Sequence, residues 1–341
     1  MKGRTLKQWC NEHISSDVEY EGDDEEQYQL YLTFAEHYLD VFLNHIPQSL
    51  ERIVSEYDNM SAVQYAATQG YDHFINALST PSTDPFNQSM SGTTPLHLSA
   101  SQGHRHTLEA LLKRGADATQ VNTDGKLPLH CALFVPGISD GHLIENKEII
   151  FNDLIARAPQ TMTKRDGSGD SVAHLMAKNG FYRLLSDLAV RHKPAIFYKN
   201  NHSRYPIHTA ILNGELDIAR LLFKIDGVAS LVAEEGRIPL HFAAQYGSAE
   251  MVQLCCEFTP DINARDKTGK TALILAAESM NISAIKTLIK QNGGVTSAEY
   301  QGQPALDYIL TCVKRTKNEK LSSWITDNSN DANQAINPLR S

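Results

Sequence analysis

The amino-acid sequence predicts an all-α solenoid, a stack of helix-turn-helix pairs, and three observations carry that reading. One tetrapeptide returns in a single phase across most of the chain. Proline and glycine punctuate its copies at fixed offsets. Apolar residues at helical spacing then follow. A length of 341 residues agrees, since it exceeds what one globular core ordinarily carries.

Internal repetition outranks every other signal here. Thr94-Pro95-Leu96-His97 is answered by Leu127-Pro128-Leu129-His130, Tyr205-Pro206-Ile207-His208 and Ile238-Pro239-Leu240-His241. Looser copies are Ser61-Ala62-Val63-Gln64, Ser171-Val172-Ala173-His174, Thr271-Ala272-Leu273-Ile274 and Pro304-Ala305-Leu306-Asp307. Their fourth residues are spaced by 33, 33, 44, 34, 33, 33 and 33, a phase that chance does not hold.

Each copy has the same local physics. Gly92, Gly125, Gly236 and Gly269 stand just ahead of it, where a turn needs positive φ. Proline opens a first helix at a position whose N–H has no partner anyway. Small residues such as Ala100, Ala177 and Ala243 then let neighbouring helices approach closely, and Gly70, Gly103, Gly180, Gly214 and Gly247 fit the C′ position that ends a helix. A second helix follows, with apolar spacings such as Leu108, Leu111 and Leu112, or Ile218, Leu221 and Leu222. One such pair cannot bury its apolar face alone, so copies must stack.

These motifs resemble the ankyrin-repeat family, whose signature is Thr-Pro-Leu-His-x-Ala on a 33-residue period. The resemblance covers about residues 59–325, roughly eight repeats with degenerate outer ones. The copies at His97 and His241 follow the pattern closely, whereas those at Gln64, Ile274 and Asp307 depart from it. The resemblance implies a helical stack with β-hairpin fingers. It also implies that His97, His130, His174, His208 and His241 are buried, neutral and bonded to backbone between adjacent repeats. The 44-residue interval leaves 11 extra residues near 135–146, in Val135-Pro136-Gly137-Ile138-Ser139-Asp140-Gly141-His142, before a second helix over about 147–156. In ankyrin-like geometry this loop projects from the edge opposite the fingers. An insertion in a connecting loop costs little stability, so drift and function both stay open.

The ends read differently. Residues 1–58 hold 13 acidic against 4 basic side chains and account for the whole net charge of −9, while the remainder holds 27 of each. We read 1–26 as an acidic leader, 27–58 as an N-terminal helical cap or half-repeat, 313–324 as a closing amphipathic helix and 326–341 as a polar tail. Neither part has the basic surplus a nucleic-acid partner requires. No apolar run approaches the length of a membrane span, and none follows the basic residues at the N-terminus as a signal peptide would demand. Five scattered cysteines argue for a reducing compartment, the cytoplasm.

Three motifs invite a chemical reading. His104-Arg105-His106 has no further ligand at metal spacing. Asp166-Gly167-Ser168-Gly169-Asp170 opens like a calcium loop but lacks the Gly at position six and the closing Glu. Cys255-Cys256 reads as core, because adjacent cysteines form strained bridges. No phosphate loop or nucleophile motif is present. The expectation is therefore no catalytic residue, no cofactor and no metal.

What the resemblance implies instead is protein binding by the fingers and the concave face of the first helices. Lys164, Arg165, Tyr198, Lys199, Arg204, Arg265 and Lys267 then form a basic–aromatic strip on the fingers. Phe134, Phe242 and Tyr246 face the groove or its edge. Aromatic and arginine side chains are the usual interface anchors, so the expected partner is an acidic or amphipathic protein or peptide bound by a monomeric scaffold or adaptor. The plainer reading, a solvated face with aromatics packed between helices, stays open beside it. A second functional reading is a bacterial ankyrin effector acting in a host cytoplasm, suggested by the degenerate outer repeats and the Asn/Ser-rich tail; an enzyme with an unrecognised site is a distant third. The poor Ser171–His174 copy next to the inserted loop makes 135–180 the expected weak interface.

Overall fold

The computed structural model describes residues 61–77, 92–135, 141–291, 299–300, 303–314 and 325–326. The expected leader, cap, most of the closing helix and nearly all of the polar tail lie outside the described residues. The chain divides into two compact units, residues 1–167 and 168–341. That division falls within the 135–180 interval.

In the first unit, helix α1 (Ala62–Gln69) is followed by α2 (Asp72–Ala77), α3 (Pro95–Gln102) by α4 (Arg105–Lys113), and α5 (Pro128–Ala132) by α6 (Gly141–Arg157). The first helices α1, α3 and α5 lie side by side, and α2, α4 and α6 form a second row behind them. Local chemistry sets the helix starts. Ser61 Oγ accepts from the Gln64 N–H at 3.2 Å while Gln64 Oε1 accepts from the Ser61 N–H at 2.9 Å, a reciprocal cap. Pro95 and Pro128 stand in the first turn of their helices. Leu96, Leu108, Leu111, Leu129, Ile150 and Leu154 are buried between the rows; each such leucine or isoleucine contributes about 1.5–3 kcal/mol by leaving water.

The second unit repeats the scheme. Its first helices are α7 (Val172–Lys178), α9 (Pro206–Leu212), α11 (Pro239–Tyr246), α13 (Ala272–Glu278) and α15 (Ala305–Lys314). Its second helices are α8 (Tyr182–Arg191), α10 (Leu216–Phe223), α12 (Ala249–Phe258) and α14 (Ile282–Lys290). Ala177, Ala210, Ala243, Ala244, Ala276 and Ala277 are all fully buried along the first row, so backbone meets backbone with only a methyl between. Cys255 and Cys256 belong to this core, and burial raises both thiols, Cys256 to about 11.

Three expectations change. The inserted residues do not all form a projecting loop: α6 starts at Gly141 rather than near 147, and Leu143 lies over Gly103, where a Cβ would stand 2.6 Å from Leu143 Cδ1. Residues 136–140 lie outside the described residues. The fingers are turns closed by one or two backbone bonds, with isolated bridge residues at Thr93, Arg165 and Ser171; among the described residues the sole pair of strands is β1 (Glu299–Tyr300) against β2 (Gln303–Pro304). Gly70, Gly103, Gly180 and Gly214 have the positive φ expected of C′, but Gly247 has φ −86°. Clearance explains it, since a Cβ at 247 would lie 2.7 Å from the Ala243 carbonyl oxygen.

Candidate partner-binding surface

Three consecutive fingers of the second unit, at 198–205, 231–238 and 264–271, are built from one turn with two different locks. In the outer two, an acceptor side chain folds into the turn. Asn200 Oδ1 accepts from His202 N at 3.0 Å and Arg204 N at 3.1 Å. Asp266 Oδ1 accepts from Thr268 N at 2.8 Å and Lys270 N at 3.0 Å. Asn122 does the same in the first unit, towards Asp124 N and Lys126 N. These are the short side chains that satisfy their own backbone two to four residues on.

The middle finger has Ala233 at that position, which has no acceptor. It retains the backbone bond from Ala233 N to Arg237 O at 2.8 Å. Ion pairs hold the rest. Arg204 Nε and Nη2 reach Glu234 Oε1 at 2.9 and 2.5 Å. Arg237 bonds Glu235 at 2.6 Å, Asp266 at 3.2 Å and Gln245 Oε1 at 3.3 Å. Burial pushes the Asp266 carboxyl up, but bonds from Thr268, Lys270 and Arg237 outweigh it and hold the group below its ordinary range.

Each unit carries buried imidazoles beneath its own fingers, His97 and His130 in the first, His174, His208 and His241 in the second. In each, Nδ1 accepts from a backbone N–H at the helix start: Thr94, Leu127, Ser171, Tyr205 and Ile238 donate to His97, His130, His174, His208 and His241 at 3.1–3.3 Å. An accepting Nδ1 puts the proton of a neutral ring on Nε2, which then donates to the neighbouring finger. His97 reaches Lys126 O at 3.0 Å, His130 Lys164 O at 3.3 Å, His174 Arg204 O at 2.9 Å and His241 Ala264 O at 3.1 Å. Burial lowers the pKa of His97 and His241.

His208 departs from this pattern. Its Nε2 makes no hydrogen bond of good geometry, although it faces the Leu231 carbonyl, and the Phe242 ring stands edge-on at 4.8 Å. Burial, followed by the charge of Arg204, drives its pKa down to about 3, so the ring is neutral.

Residues 43–140 and 224–299, just over half of the chain, match the family model for ankyrin repeats in three copies. The chain belongs to the ankyrin-repeat family. Its repeats are accordingly protein–protein interaction modules. A segment of 165 residues is 29% identical to the neurogenic locus notch homolog protein 1 of Xenopus tropicalis, covering 46% of this chain and 6% of that protein. Another of 114 residues is 31% identical to the probable E3 ubiquitin-protein ligase XBOS33 of rice, covering 31% of this chain and 22% of that protein. The chain thus spans a small part of the length of these relatives. The crystal structure of the human ASB11 ankyrin repeat domain covers 67% of this chain and 98% of its own, at 21% identity and a TM-score of 0.52, which shows the shared fold.

Against this ankyrin frame the expected site residues separate. In the second unit, Tyr198, Lys199, Arg265, Lys267 and Tyr246 are exposed, Tyr246 at 58%. Lys164 and Arg165 are exposed in the first unit, as is Phe134. Two expectations are corrected. Phe242 does not face the groove: it is 1% exposed, with its ring edge-on to His208 of the preceding repeat at 4.8 Å. Arg204 is half-buried, its guanidinium 5.7 Å over the Phe242 ring and already paired with Glu234. Glu234 was missed, and the missing Asn or Asp at position 233 was the signal that could have found it.

His104 is also explained. Its Nε2 donates to Thr68 O at 2.9 Å and its ring lies against Gly70. Among the described residues no group of His, Cys, Asp and Glu is placed to hold a metal ion, and no helix is long and apolar enough to cross a membrane.

Proposed function

We propose that this ankyrin-repeat chain is a monomeric, non-catalytic scaffold or adaptor whose second-unit fingers capture an acidic or amphipathic peptide of a partner protein. The observation that carries the reading is the exposed set Tyr198, Lys199, Arg265 and Lys267 on turns whose backbone is already locked by Asn200 and Asp266. A surface ordered before binding loses little entropy on association, and tyrosine and arginine supply most of the energy in such contacts. Tyr246, at the end of α11, supplies an aromatic edge. The balance of acidic and basic residues after position 58 favours a protein over nucleic acid as partner. Among the described residues the four cysteines, Cys131, Cys255, Cys256 and Cys312, are free and buried, which favours a cytoplasmic setting. Lys164 and Arg165, exposed in the first unit, are proposed separately as contacts for the same partner.

Alanine at Arg165, Tyr198 and Arg265 together tests the mapping. Binding of a fluorescent hexaglutamate peptide, with hexaglutamine as control, falls at least about tenfold while the thermal melt is unchanged. Full retention of binding by the triple variant discards it.

A further inference from the structure

We propose that Glu234 is a built-in stand-in for the acidic group of the partner: it occupies the Arg204 guanidinium and latches the 231–238 finger until an incoming carboxylate displaces it. The inference rests on the acidic-peptide reading above and says where such a peptide anchors.

The Arg204 site has the features of a carboxylate receptor. A planar guanidinium presents two N–H donors to one oxygen, at 2.9 and 2.5 Å. The buried Phe242 ring lies beneath it, its centroid 5.7 Å from the guanidinium carbon. Lys199 lies over the neighbouring Tyr205 ring at 5.2 Å and puts a second cation on the same finger. The receptor is therefore formed, and its present occupant belongs to the chain itself.

That occupant sits on the finger least able to hold it. Ala233 removes the side-chain clamp that Asn200 and Asp266 give their turns. His208 withholds the Nε2 bond that His174 and His241 give to their neighbouring fingers. What remains are the internal bonds from Ala233 N to Arg237 O at 2.8 Å and from Arg237 N to Glu234 O at 3.0 Å, one from Lys267 N to Glu235 O at 2.8 Å, and ion pairs. The pairs differ in kind. The Asp266 side chain is 0% exposed and accepts from Arg237 inside a set of other bonds, so that pair is structural. Arg204 and Glu234 are 30% and 34% exposed, open enough for salt to screen them and for a competitor to enter.

The test uses the full chain with Glu234→Gln, which keeps the shape and removes the charge. Amide exchange in 231–237 rises about fivefold relative to the Asn200 and Asp266 amides, and 0.5 M salt does the same to the unaltered chain. Hexaglutamate binds the variant about fivefold more tightly at 50 mM salt, and the gain disappears when Arg204→Ala is added. Unchanged exchange in both the variant and high salt overturns the latch. Tighter binding without faster exchange also overturns it, while leaving the acidic-peptide reading standing. Faster exchange with no preference for hexaglutamate over hexaglutamine overturns the displacement, and with it the acidic-peptide reading.

Discussion

Two repeats solve the same problem with different side chains. The carbonyls at the end of a first helix need donors, and the next repeat supplies them. In the second unit Asn281 does so from the start of α14: its Oδ1 accepts from Ala284 N at 3.1 Å, while its Nδ2 donates to Ala244 O at 3.2 Å and Gly247 O at 2.8 Å. In the first unit the inserted residues move the start of α6 to Gly141, so no helix-start side chain stands in the usual place. Lys147 takes over from inside the helix. It is 0% exposed, and its Nζ donates to Ala100 O at 3.4 Å and to Ser101 O. A helix C-terminus favours a cation, yet burial still pushes the Lys147 pKa down to about 8. The difference teaches how a repeat absorbs an insertion: a short neutral amide is exchanged for a long buried cation, and the stacking is kept.

Breaking both contacts measures that difference. Lys147→Ala removes a fully buried side chain and leaves two helix-end carbonyls without a donor, a loss of about 3–4 kcal/mol in urea unfolding. Asn281→Ala removes a cap and two bonds at a half-buried site and costs about 1–2 kcal/mol. Equal losses would erase the distinction between the two repeats.

A pH series sharpens it. The folded-state pKa of Lys147 lies below its unfolded value, so the folded chain resists protonation there. Stability rises as pH climbs from about 8 towards the unfolded lysine value of about 10.4, and below 8 this group adds no further slope. Groups facing it matter as well. The Cys131 thiol is raised to about 11 by burial, and His104 is lowered by burial with a contribution from Lys147 itself. Comparing the unaltered chain with Lys147→Met at each pH cancels the titration of other groups, and the rise is absent in the variant. A parallel rise in both assigns it elsewhere.

The smallest effects concern backbone strain. Ser203 and Met280 have φ of +55° and +58° where sister repeats carry glycines such as Gly125 and Gly214. Glycine at either position gains about 0.5–1 kcal/mol, less what the freer unfolded chain takes back. A loss at both would mean that the side chains are held by contacts stronger than the strain.

The repeat phase made most of the fold legible, because one tetrapeptide encodes a helix start, a buried histidine and a turn together. The prolines, the fully buried alanines and four of the five imidazoles stand where that pattern puts them. What escaped depends on neighbours rather than on the pattern. Lys147 reads as a surface residue until the lengthened α6 carries it under the preceding repeat. Phe242 reads as a groove residue because it is aromatic, although its ring packs against His208 of the preceding repeat. The unmade His208 bond depends on where the Leu231 carbonyl lies, outside the tetrapeptide. Five of the nine candidate site residues, Tyr198, Lys199, Arg265, Lys267 and Tyr246, are exposed together in one unit, and the sequence could name them because fingers expose the same offsets each time.

The most direct measurement is a hydrogen-exchange footprint of the full chain with and without hexaglutamate. The account predicts protection at 198–202 and 264–268 and faster exchange at 231–237, where the peptide displaces Glu234, with the second helices unchanged. Protection centred instead on the exposed apolar residues of those helices, Tyr182, Val190 and Ile282, with the fingers unaffected, would contradict it.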